Sequence, residues 1–240
     1  MTKESPTHVK AVLLDLDDTL IDDSSSVDSG WTRACSEAAA RVDGLDAGVL
    51  KASILEVRDW FWSDPGRHKA GRQDLRATSA WIVGEAMRRT GIERPGLASE
   101  IANRYRDIRD ESQCPLPGAM ETLERMRSLG LGLALLTNGG AAGQRAKVER
   151  FGLERYFDFI CIEGEFGCGK PDERVYRAAL QALKCTPGAA WMAGDNLEFD
   201  VAAPMKLGMW GIWVDRHGAG LPVGGGAKPD RIVRAVAEIL

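Results

Sequence analysis

The chain has 240 residues, 44% of them hydrophobic and 28% charged, with 31 basic against 35 acidic side chains and a net charge of −4. That length holds one large domain or two small ones and can bury a core without disulfides or structural metals, and the composition excludes a disordered chain or a fibre. No apolar run approaches the roughly 18 residues of a membrane span, and no basic block offers a footprint for nucleic acid. The start, Met1 to Pro6, is polar and lacks the apolar stretch of a signal peptide. Five scattered cysteines (Cys35, Cys114, Cys161, Cys168, Cys185) read as reduced thiols. The expectation is a cytoplasmic protein, a monomer or homodimer, that engages neither membrane nor nucleic acid.

Val9 to Leu14 is a short aliphatic run that reads as a buried strand, and it ends abruptly in the carboxylates of Asp15-Leu16-Asp17-Asp18-Thr19. From about Val27 to Ser112 apolar residues recur at three and four, as in Ile54, Val57, Phe61 and in Ala80, Val83, Met87. Turn signals at Asp43-Gly44, Asp64-Pro65-Gly66 and Arg94-Pro95-Gly96 divide this stretch into about four helices. Past Pro117-Gly118 the pattern alternates: a helix over 119–129, a strand over 131–137, a helix over 144–151 and a strand over 157–162. A helix over 172–183, a strand over 189–193, a mostly helical 197–207 broken at Pro204, and a strand over 209–214 follow. Asp215 to Lys228 is a glycine-rich loop, and 232–240 reads as an amphipathic helix, with a short edge strand before it as an alternative.

Strands alternating with helices of this length imply crossover connections and a mainly parallel sheet covered on both faces. Polar residues cluster just after strands, at Asp15 to Thr19, Thr137-Asn138 and Gly194-Asp195. In open parallel sheets ligands bind at those carboxyl ends, so these segments gather into one site. Asp15 and Asp17 stand two apart and can face one crevice, and Asp195 and Asp200 add further carboxylates. So many anions together call for a cation, and all-oxygen ligation suits Mg²⁺. Lys170 adds a fixed positive charge, Thr137 a hydroxyl, and Asn138-Gly139-Gly140 a run of backbone donors able to form an anion nest. Together these are the parts of a phosphate-handling site. Asp18, Asp22 and Asp23 read instead as solvated turn residues.

The four segments, in order, resemble the motifs of the haloacid dehalogenase-like hydrolases: Asp15-Leu16-Asp17-Asp18-Thr19 after a strand, Leu136-Thr137-Asn138, Lys170-Pro171, and Gly194-Asp195 through Asp200. The resemblance implies a Rossmann-like α/β core, residues 1–22 and 115–240, interrupted by an α-helical cap, residues 23–114, that governs substrate specificity. It implies Asp15 as the nucleophile that forms an aspartyl-phosphate and Asp17 as the general acid and then base. Mg²⁺ would rest on Asp15, Asp195 and the backbone carbonyl of Asp17, with Asp200 nearby, while Thr137, Asn138, Gly139 and Lys170 meet the phosphoryl oxygens.

Asp17 favours a phosphatase over a 2-haloacid dehalogenase, because a departing halide needs no proton. A phosphomutase shares the first half-reaction. A phosphonatase would want a cap lysine, and the cap has only Lys51 and Lys69. Gly164 to Lys170 fits G-x-x-x-x-G-K, but Pro171 stands where a P-loop needs a hydroxyl. A receiver-like or otherwise non-enzymatic phosphoryl-binding protein is the remaining alternative. In the cap, Trp60, Trp62, Arg67, His68 and Arg72 are the candidates for contact with a substrate, expected to be a small phosphorylated metabolite such as a sugar phosphate, an acylneuraminate phosphate or a nucleoside monophosphate.

Overall fold

The structure, a computed structural model, describes residues 9–222 and 227–240. The chain forms two compact units, one of Met1–Asp22 with Cys114–Leu240 and one of Asp23–Gln113. No helix among the described residues is long and apolar enough to cross a membrane.

The inserted unit consists of five helices: α1 Val27–Ala39, α2 Ala47–Trp62, α3 Pro65–Gly71, α4 Leu75–Arg89 and α5 Leu97–Ser112. Asp46, Asp64 and Asp74 each cap a helix by accepting hydrogen bonds from first-turn amides. The third cap explains why there are five helices where turn signals suggest four. No glycine–proline pair marks Asp74, but its carboxylate accepts from the Ala77 amide at 2.9 Å and starts a new helix. Leu50, Ile54 and Val57 recur at helical spacing on α2 and pack with Ile82, Val83 and Met87 of α4 and Ile101 and Tyr105 of α5. Trp31 stacks on Tyr105 with ring centroids 3.5 Å apart inside this core.

The other unit is built on six parallel strands. They are β1 Ala11–Leu14, β4 Gly132–Thr137, β5 Phe159–Ile162, β6 Ala190–Gly194, β7 Trp210–Val214 and β8 Arg231–Val233, in the spatial order β5-β4-β1-β6-β7-β8. Two short strands, β2 Ile21–Asp22 and β3 Cys114–Pro115, pair antiparallel. Side chains alternate along each strand: Val12, Leu14, Leu133 and Leu135 enter one apolar cluster, while Ala11, Leu13, Ala134 and Leu136 enter another. Helix α6 (Ala119–Ser128) and α7 (Ala141–Arg150) contribute to the first cluster, α8 (Glu163–Phe166) is a single turn after β5, and α9 (Glu173–Ala182) contributes to the second cluster. Both faces are thus covered, as a parallel sheet requires. This is the parallel sheet covered on both faces that the alternation predicts, and the Rossmann-like α/β core that the resemblance implies.

Two local expectations differ. Residues 197–202 form wide, π-helical turns, and α10 (Ala203–Lys206) carries Pro204 in its first turn, so proline starts the α-helix instead of breaking it. The edge strand allowed before the tail is present as β8, but the amphipathic helix expected over 232–240 is reduced to a 3₁₀ turn at Val236–Glu238. Ile232 and Val233 pair with Trp213 and Val214, and the Arg231 guanidinium binds the carbonyls of Glu238 and Ile239, which fixes the last turn. Of the expected loop over 215–228, residues 223–226 lie outside the described residues.

Candidate active site

Strands β4, β1 and β6 are neighbours and run the same way, so the residues at their carboxyl ends stand side by side. These are Thr137, Asp15 and, just past Gly194, Asp195. Asp15 is buried; its amide donates to the Ala193 carbonyl at 3.0 Å, and Thr19 Oγ1 donates to its Oδ2 at 3.2 Å. Lys170 is only 2% exposed, and its Nζ lies 2.6 Å from Oδ1 of both Asp15 and Asp200. The second oxygen of Asp200 accepts from the Asn196 amide at 3.0 Å. Asp15, Asp195 and Asp200 each offer an oxygen within 4.8 Å of the others.

Three carboxylates around one ammonium leave an excess of negative charge. Burial, with help from Asp200 and against the pull of Lys170, pushes the Asp15 carboxyl up to about 6. Desolvation by the surrounding protein, followed by repulsion from Asp15 and Asp200, pushes Asp195 up to about 8. Burial works against the charge on Lys170, but Asp15 and Asp200 outweigh it and raise its pKa. Such a set, all oxygen and short of positive charge, fits a hard divalent cation. Glycine is required at Gly194, where a Cβ would run into the Asp200 carboxylate and come within 2.8 Å of Asp15 Cβ.

Asp17 stands apart from these three carboxylates. It is half-buried, with Lys147 Nζ 2.7 Å from its Oδ1 and Gln144 Nε2 2.9 Å from its Oδ2. The same amide lies 2.5 Å from Thr137 Oγ1. Asp18 occupies a left-handed turn (φ 57°) and pairs with Arg216 at 2.6 Å.

The loop after β4 differs from the expected nest. The Asn138 side chain clamps the backbone of Lys170, its Oδ1 accepting from the Lys170 amide at 2.8 Å and its Nδ2 donating to the Lys170 carbonyl at 2.7 Å. The Gly139 amide, expected among the phosphate donors, donates to Glu163 Oε2 at 2.9 Å. Glu163, buried at the start of the short helix that follows β5, thus holds this loop, and Gly139 shapes the site without facing it as a donor. A Cβ on Gly169 would strike Asn138 Oδ1 and approach Glu163 Cδ to 2.7 Å, so the clamp also requires glycine there.

Glu163, Gln144 and Lys147 escape sequence reasoning. Each is a polar residue at an ordinary helix position, and only the 3.6-residue spacing puts Gln144 and Lys147 on one face. In the inserted unit, Arg67 lies over the Trp60 ring at 3.8 Å and its Nε donates to the Phe61 carbonyl at 3.2 Å. The His68 ring meets Trp62 edge-on at 5.2 Å, and Arg72 reaches His68 at 3.4 Å. These five candidates lie near one another on α2, α3 and the residue that ends α3.

Residues 9–208 match the sequence profile of the haloacid dehalogenase-like hydrolases, a span that includes every residue of the site. The chain belongs to the haloacid dehalogenase-like hydrolase family. It is a hydrolase, and curated members similar to it are phosphatases. The phosphoserine phosphatase of Thermus thermophilus is 36% identical, the match covering 96% of this chain and 98% of that one. The N-acylneuraminate-9-phosphatase of Rattus norvegicus is 27% identical, with 97% and 93% covered. Among solved structures, the magnesium-bound HAD-hydrolase YfnB of Bacillus subtilis superposes with a TM-score of 0.72 at 18% identity over 97% of each chain. That likeness concerns the fold.

Proposed function

We propose that this hydrolase is a Mg²⁺-dependent phosphomonoesterase that cleaves a small phosphorylated metabolite through an aspartyl-phosphate on Asp15. Asp15, Asp195 and Asp200, with the Asp17 backbone carbonyl, would hold the ion. Bound there, Mg²⁺ offsets the crowded carboxylate charge and polarises a phosphoryl oxygen. In the first half-reaction an Asp15 oxygen attacks phosphorus. The bond from phosphorus to the leaving oxygen breaks with its electron pair on that oxygen, and Asp17 supplies the proton that completes the alcohol. In the second half-reaction water attacks phosphorus, gives a proton to Asp17, and returns the Asp15 carboxylate as inorganic phosphate departs. Lys170 and Thr137 stabilise the charge on the phosphoryl oxygens, and Asn138 keeps Lys170 in place through its backbone.

The observation that carries this reading is Asp17: a carboxyl two residues beyond Asp15 that is not one of the three clustered carboxylates and is held by Lys147 and Gln144. An alkoxide leaving group requires a proton and a halide does not. Relatives named for phosphoserine, glyceraldehyde 3-phosphate and N-acylneuraminate 9-phosphate support a small phosphorylated amino acid, a sugar phosphate or an acylneuraminate phosphate over a nucleoside monophosphate. The inserted unit, with its arginine and tryptophan cluster, is the element we assign to substrate choice. Five free thiols suit the reducing cytoplasm as the place of the reaction.

A hydrolysis screen over phosphorylated metabolites, 2-haloacids and p-nitrophenyl phosphate, with Mg²⁺ and with chelator, tests the proposal. Phosphate release that requires Mg²⁺ is expected. Halide release from a haloacid with no phosphatase activity would overturn it.

A further inference from the structure

Lys147 and Gln144 take no part in phosphoryl transfer as described above, yet both are buried, at 6% and 4% exposure, on the face of α7 that meets Asp17. Lysine is almost never buried unless it is paired, because desolvating an ammonium is costly. Here Lys147 Nζ lies 2.7 Å from Asp17 Oδ1 with its side chain only 7% exposed. Gln144, one helical turn earlier, donates to the other oxygen of Asp17 at 2.9 Å and approaches Thr137 Oγ1 at 2.5 Å. Both Asp17 oxygens are therefore held by donors from one rigid helix, and one of those donors also touches Thr137 at the end of β4.

We propose that Lys147 and Gln144 are positioning residues that clamp Asp17 in the orientation from which its carboxylate takes the proton of the attacking water. This deepens, and rests on, the reading of Asp17 as the proton-handling group. In that step the water oxygen bonds to phosphorus, the bond from phosphorus to the Asp15 oxygen breaks with its electron pair returning to Asp15, and the water proton passes to Asp17. A carboxylate with no anchor samples several rotamers, and only one of them faces the water. A positioned base contributes about 10²- to 10⁴-fold, so losing the anchor while keeping the base should cost roughly 10- to 100-fold in this half-reaction.

The test uses the full-length protein with Mg²⁺ and p-nitrophenyl phosphate, whose leaving group departs without a proton. In Lys147→Met, which keeps the buried stem, kcat/KM should stay within about threefold of wild type because it reports only transfer to Asp15. The kcat and KM should fall together by about 10- to 100-fold, nitrophenol should appear in a burst approaching one equivalent, and the acid-trapped phosphoenzyme should decay correspondingly slowly. Gln144→Met should show the same pattern more weakly, and Lys147→Arg should restore much of the decay rate. A purely structural role would instead lower kcat/KM in both variants without a burst, and that result would overturn the proposal. So would wild-type decay of the phosphoenzyme in a Lys147→Met protein that melts cooperatively. Asp17→Asn, run in parallel, separates the two levels. If it accumulates phosphoenzyme while Lys147→Met does not, only the clamp is wrong; if it also turns over normally, the role of Asp17 and the clamp fall together.

Discussion

Replacing Lys170 by methionine removes the one ammonium that the structure places between Asp15 and Asp200. Its Nζ is 2.6 Å from an oxygen of each, and all three side chains are buried. Breaking a buried ion pair by deleting one partner typically costs about 3–5 kcal/mol, because the other charge is left uncompensated. For a chain of this length each kcal/mol moves the melting temperature by about 2–4 °C, so Lys170→Met should melt roughly 6–20 °C below wild type at pH 8 in chelator. The sign of the pH dependence is also determined. Asp15 and Asp195 already have raised pKa values, and loss of the lysine raises them further, so the folded variant binds protons more tightly than the unfolded chain. The deficit should therefore shrink as pH is lowered from 8 to 5.5, and Mg²⁺ at pH 8 should recover part of it. Thermal melts of both proteins at the two pH values, with Mg²⁺ and with chelator, supply the numbers. A deficit under about 1 kcal/mol at pH 8, or one that grows on acidification, would refute the electrostatic account of the site.

Wild-type protein in chelator should lose stability as pH rises from about 4 to 8, since Asp15 and Asp195 are raised from 3.8 to about 6 and about 8, and saturating Mg²⁺ should flatten that slope in melts across the range. Gly169→Ala should cost about 1–3 kcal/mol of stability through overpacking and more than tenfold in kcat/KM, because its Cβ displaces the Asn138 and Glu163 side chains that hold Lys170 and the loop after β4; melts and steady-state kinetics check both. Asp74→Ala should destabilise by about 1 kcal/mol in urea unfolding, through loss of the α4 cap, with kcat/KM unchanged. Alkylation at pH 8, followed by mass spectrometry, should mark exposed Cys114 first and leave Cys35 and Cys161 unmodified until unfolding, since burial pushes those thiols up to about 11 and about 12.

The parallel core was legible because its strands are short aliphatic runs separated by helix-length segments, and the site because Asp15, Thr137 and Asp195 each follow such a run. Topology then places three distant segments along one sheet edge without further information. The break at Asp74 was hidden because a single capping carboxylate, with no glycine or proline beside it, ends one helix and starts another. The last strand was only an alternative in the sequence because Arg231–Val233 is three residues long and depends on its edge position beside β7 rather than on any alternation of its own. Lys147 and Gln144 were invisible for a different reason. Charged and amide residues on a helix ordinarily face water, and only the approach of α7 to Asp17 makes them internal. The hydrogen bond from Gly139 to Glu163 was equally beyond reach, because it joins the ends of neighbouring strands whose adjacency the sequence does not encode locally.

The proposed reaction turns on Asp15 as the group that accepts phosphate. The most direct measurement is acid quenching of the Mg²⁺-loaded enzyme during turnover of a ³²P-labelled phosphomonoester, followed by digestion and sequencing of the labelled peptide. The prediction is a single acid-stable acyl phosphate on Asp15 that forms and decays at rates able to support kcat and is absent from Asp15→Asn. Turnover at the wild-type rate by Asp15→Asn, or label carried by any other residue, would contradict it.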